Sequence, residues 1–199
     1  MLFRSNEKFP ISLKAYGDGP LQLSTDKNFQ MYPLLEGFGE HISNKHQLSA
    51  IFENPAFSCF SEINVLPLIY DEKKQRCNIL VFDAERARNE TAYIKKATEG
   101  AGRKHPAYRF FDKNDCYICE VRYGNATANA LQRGLWTNTK NATPFFDSVT
   151  NGWVDYSHNL VLVKLFSHAL VSSSKGHEVA LDEIKKDITN LKQANGINA

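Results

Sequence analysis

Ser12 and Lys14 stand two apart in an alternating run, residues 9–16, whose other positions are Phe9, Ile11, Leu13 and Ala15. On a strand, that spacing turns Ser12, Lys14 and Tyr16 to one face and the apolar side chains to the other. A lysine beside a metal-holding residue suits metal-assisted phosphodiester hydrolysis. There the ammonium orients the attacking water and stabilises charge on the phosphorus, while nearby carboxylates hold divalent ions. Downstream of Lys14 the available carboxylates are Asp26, Glu36 and Glu40. The plainer reading of the same lysine is exposed scaffold at the edge of a sheet.

A second chemically equipped stretch is CEVRYGNATANALQRGLWTNTK, residues 119–140. Alternation puts Glu120 and Arg122 on one strand face, with Tyr117, Cys119 and Val121 on the other. Gln132, Arg133, Trp136 and Lys140 follow. Such side chains read base edges and phosphates, and an aromatic beside them packs on sugar or base. A solvated helix end with cations at its C-terminus accounts for the same composition.

Other motifs point away from common chemistries. Cys116 and Cys119 have zinc-like spacing, but they sit in a β-run that sends the two thiols to opposite faces, and Cys59 and Cys77 offer no matching pair. The six histidines show no metalloprotease spacing, and no phosphate-cradling glycine loop or nucleophile elbow occurs.

These residues need elements to hold them. Gly17-Asp18-Gly19-Pro20 is turn chemistry, after which Ser24, Thr25 or Asp26 caps a predicted helix running towards Leu35, shortened or kinked at Pro33. Residues 46–53 form a short helix stopped by Asn54-Pro55. Two hairpins follow, pairing 63–70 with 77–82 and 107–111 with 116–123. Between them 84–98 reads as a helix closed by Gly100 and Gly102, and Asn125 caps another through Arg133, with Gly134 placed to end it. Residues 160–170 are apolar enough for a strand or buried helix, and Leu181, Ile184, Ile188 and Leu191 mark an amphipathic last helix ended by Gly196. The mixture predicts an α/β or α+β fold, and the absence of repeats or linkers predicts one domain over 1–199.

The bulk numbers agree with a globular domain: 199 residues, 42% hydrophobic and 23% charged, long enough for a real core. No apolar run approaches the roughly 20 residues that span a bilayer. A net charge of +2 allows a nucleic-acid partner without demanding one. Four cysteines without small-scaffold spacing fit a reducing cytosol. Residues 1–5, Met-Leu-Phe-Arg-Ser, translate the end of a common sequencing adapter after a start codon. They predict a non-native start and a fragment that lacks an upstream part of its domain.

The stretch ISLK, residues 11–14, resembles the second half of the active-site motif of the PD-(D/E)xK nuclease superfamily, and specifically of type II restriction endonucleases with a Ser-x-Lys variant. The resemblance implies a central mixed β-sheet flanked by helices, with Lys14 and Ser12 catalytic and a carboxylate returned from the following helix. Glu36 is the first choice for that carboxylate and metal ligand. Asp26 is the second, or is spent as a helix cap. The family's first Asp has no counterpart, since only Glu7 closely precedes Lys14, so a truncated chain would be inactive alone. Further implications are Mg²⁺ as cofactor, double-stranded DNA as substrate, a homodimer on a palindromic site and a prokaryotic cytoplasmic location. Arg122, Gln132, Arg133 and Lys140 become candidate DNA contacts. The rival is a nucleic-acid-binding module that uses residues 120–140 without cutting.

Overall fold

Alternating apolar runs beside short polar turns close into hairpins, and the hairpins seed two sheets. The computed structural model describes residues 11–16, 19–62, 64–71, 73–97, 106–123, 133–164, 174–194 and 196. The first half runs β1 (Ile11–Tyr16), β2 (Pro20–Thr25), α1 (Met31–Phe38), β3 (His41–Ile42), α2 (Lys45–Glu53), a 3-10 turn (Pro55–Phe57) and α3 (Cys59–Glu62). Next come β4 (Asn64–Asp71), β5 (Arg76–Val81), α4 (Ala84–Glu90), β6 (Tyr93–Ala97), β7 (Ala107–Phe111) and β8 (Tyr117–Arg122). The remainder is β9 (Gly134–Asn138), β10 (Asp147–Ser148), β11 (Val154–Asp155), α5 (Leu160–Lys164) and α6 (Ser174–Ala194).

One sheet has the order β1-β4-β5-β10, with β11 also on β5; the other has the order β2-β9-β8-β7-β6-β3. The described registers are antiparallel. The class is therefore mixed α+β, with antiparallel sheets flanked by helices. The chain forms two compact units: Met1–Lys14, Asp18–Pro67 and Leu80–Asp147 in the first, and Ala15–Gly17, Leu68–Ile79 and Ser148–Ala199 in the second.

The first unit contains the six-stranded sheet. Its β7–β8 hairpin turns on Asp112, whose carboxylate accepts from the amides of Asn114 and Cys116, both at 2.8 Å. One face of the sheet meets the helices. There Phe110 of β7 packs with Phe52, Phe57 and Phe60, at ring distances of 6.2, 6.4 and 5.8 Å. Met31, Tyr32 and Leu35 of α1 are buried as well. Burying each such side chain contributes roughly 1.5–3 kcal/mol, which fixes the helices on this face.

In the second unit the β4–β5 hairpin pairs Leu68 with Ile79 through Asp71 with Arg76. β11 takes the other edge of β5, matching Val154 to Cys77. Buried Asn78 ties in the segment that leads to β11, because its side-chain oxygen accepts from the hydroxyls of Ser148 (2.8 Å) and Thr150 (2.9 Å). In α6, Ile184 is buried while Ile188 and Leu191 are about half exposed.

Several expectations need correcting. Residues 20–25 form a strand rather than leading straight into a helix, and α1 starts at Met31 and runs past Leu35 to Phe38. Pro33 lies in the first turn, where its missing N–H has no intrahelical partner to lose, so it does not break the helix. The helix expected over 84–98 ends at Glu90, and Tyr93–Ala97 is a strand, β6. Gly134 starts β9, and the expected helix 125–133 that it was placed to end lies, but for Arg133, outside the described residues. Residues 165–170 lie outside them too, and 160–164 are helical.

Candidate nucleic-acid interface

β1 carries Ser12 and Lys14 at positions i and i+2 of one strand. Their side chains lie outside the described residues, as does Gln132.

Asp26 ends the β2 segment and is buried. Its two carboxylate oxygens accept from the amides of Gln30 (3.1 Å) and Met31 (2.9 Å), so it serves the amides that open α1. Arg133 lies directly against it, with Nε donating to the Asp26 carbonyl at 2.7 Å and the guanidinium 3.5 Å above the Phe29 ring. Arg133 is only 7% exposed. Its own carbonyl accepts from the Gln22 amide group at 3.1 Å. Arg133 thus joins the start of α1 to the start of β9.

Glu36 projects from α1 with a side chain 57% exposed, and Lys96 of β6 donates to it at 3.2 Å. That hydrogen bond, ahead of every other influence, raises the Lys96 pKa. Tyr32, one turn earlier, is pushed up to about 12, first by burial and then by the charge of Glu36 and the neighbouring Tyr123 and Glu40. Among the described residues, no three His, Cys, Asp or Glu side chains converge to hold a metal ion. Asp26 has both oxygens on backbone amides and Glu36 sits against an ammonium, so these donors do not fit a Mg²⁺ site.

The six-stranded sheet does assemble polar groups. Register matches Lys95 to Arg109, Arg109 to Glu120, Glu120 to Trp136 and Trp136 to Gln22, a single row across five strands on the face turned from the helices. His41 on β3 extends the row beyond Lys95. Glu120 is nearly buried and holds both arginines, Arg122 at 2.9 Å and Arg109 at 3.6 Å. The Arg122 guanidinium lies 3.9 Å above the Trp136 ring, a contact that holds it flat. Lys140, in the turn after β9, is exposed.

Alternation alone joins Glu120 to Arg122. Arg109, Lys95 and His41 were missed because they come from other strands, and nothing local in the sequence states which residues stand opposite. Cys119, on the core side of β8, has a thiol pKa driven well up by burial, then by Cys59 and Glu120, and it forms no disulfide. Cys116, at the strand entrance, is half-buried. These positions fit structural thiols rather than a zinc pair.

No helix among the described residues is long and apolar enough to cross a membrane. In comparisons with known proteins, no family model, curated protein or solved structure matches this chain.

Proposed function

We propose that this chain acts on double-stranded DNA as part of a restriction-type endonuclease of the PD-(D/E)xK superfamily. The observation that carries the proposal is strand β1, which sets Ser12 and Lys14 two residues apart on one extended segment, the spacing that keeps both groups on one face. In this reading Lys14 orients water and stabilises charge on the phosphorus, and Ser12 is its partner on the strand. Mg²⁺ and a homodimer on a palindromic site enter with the resemblance. Glu36, held by Lys96 at 3.2 Å, has no part in this reading. The test is plasmid cleavage with Mg²⁺ by the chain. Lys14→Ala is expected to cut about 100-fold more slowly than the parent. Equal cutting by that variant removes Lys14 from catalysis.

A specific observation favours a second reading, binding without cutting. Arg122 is fixed between Glu120 and Trp136, a preorganised cation beside an aromatic ring. This reading expects salt-sensitive DNA binding that survives both Lys14→Ala and removal of Mg²⁺.

A further inference from the structure

The end of the six-stranded sheet formed by β3, β6 and β7 carries rings and cations that neither reading uses. His41 and Lys95 stand opposite one another and are exposed. The His41 ring lies 5.4 Å from Tyr93, and Tyr93 stacks on Phe111 at 4.9 Å with only 13° between the planes. Tyr93 and Phe111 form a stacked column, and His41, tilted 33° from Tyr93, is its exposed outer ring. Lys95 and Arg109 lie beside the column, opposite one another on neighbouring strands about 4.8 Å apart.

Of the carboxylates nearby, Glu120 is paired with cations, while Asp112 and Asp115 accept hydrogen bonds from neutral groups and keep their charge. Asp112 accepts from the Asn114 and Cys116 amides, Asp115 accepts from the Tyr93 hydroxyl at 3.0 Å, and Glu120 holds Arg109 and Arg122. Exposed Lys95 beside the rings, with Arg109 bridging from Glu120, suits a phosphate next to a flat base.

We infer that this β3–β6–β7 surface binds single-stranded nucleic acid, with an unpaired base stacked on His41 and the backbone phosphates on Lys95 and Arg109. A duplex fits it poorly, because its bases are already stacked on one another and present no face to a ring. The inference does not rest on cleavage. An endonuclease with such a surface would have a hold on unpaired strand that is separate from its duplex site.

The test is fluorescence anisotropy with a labelled oligothymidylate of about 15 nucleotides, a usual site size for such platforms, against a labelled duplex of equal length. Running it in EDTA keeps metal-dependent cleavage out of the measurement, so it stands or falls apart from the endonuclease reading. The expected result is tighter binding of the single strand. His41→Ala weakens it about tenfold, and Lys95→Ala lowers the salt dependence by about 0.7 in log–log slope. Both side chains are exposed, so unchanged thermal midpoints accompany these losses. Equal binding of duplex and single strand overturns the inference. So does parental binding by both variants.

Discussion

Gly134 opens β9 at φ +112°, and a Cβ there would meet the Ser24 carbonyl oxygen at 2.4 Å and the Asp26 nitrogen at 2.5 Å. Both contacts are backbone, which cannot swing aside. Gly39 shares the positive φ, +108°, but has nothing within 4 Å of its missing Cβ. The pair separates two effects. Gly39→Ala is expected to cost about 1 kcal/mol from backbone strain alone, whereas Gly134→Ala loses roughly 2–4 kcal/mol because the β2–β9 seam must open. Urea midpoints with unchanged slopes measure both losses, and equal losses at the two glycines would refute the close approach. At this scale, the identity of Gly134 was legible and its reason was not. A glycine after a basic helix-like segment reads as a helix stop, and only the tertiary contact reveals the crowding.

The elements differ in how far local pattern specifies them. The β4–β5 and β7–β8 hairpins were legible because alternation and a polar turn lie within one short segment, so strand and partner are read together. β2 and β9 were not, since their partners lie more than a hundred residues apart. Leu21-Gln22-Leu23 between a turn and an Asp then reads as the approach to a helix. The over-long helix at 84–98 has a similar cause: Tyr93–Ala97 is an inner strand only because β3 and β7 flank it. Of the interface, the strand pair Glu120 and Arg122 could be read ahead, while Arg109, Lys95 and His41 join it only through register. For α1, the two amide bonds to Asp26 make a clear prediction. Asp26→Ala should lower stability by about 1–2 kcal/mol, with Asp26→Asn losing less because one acceptor oxygen remains. Urea unfolding followed by circular dichroism reads the difference, and a stable Asp26→Ala would show that the cap is idle.

For the whole molecule, pH probes the core of the first unit. Tyr32 is buried, its hydroxyl has no hydrogen-bond partner among the described residues, and its pKa is pushed from 10.0 up to about 12. Below pH 10 the phenol is neutral both folded and unfolded, so no penalty exists there. Above that, the unfolded chain releases the proton and the folded chain holds it, so stability falls as pH rises from 10 towards 12. Tyr32→Phe should be neutral or slightly stabilising at neutral pH, since no hydrogen bond is lost, and should resist alkali better than the parent. Thermal midpoints across the alkaline range check this, and identical alkaline losses in both proteins would contradict it.

The seam between β2 and β9 also sets a timetable. Gln22 and Arg133, hydrogen-bonded across it, are 111 residues apart in the chain. At about 5–20 residues per second, a ribosome needs roughly 6–20 s to deliver the second strand after the first. Throughout that interval β2 has emerged with its β9-facing edge unpaired. The sheet holding the rings and cations of the proposed surface is therefore completed late in synthesis, and a holding chaperone would find its target in residues 20–25.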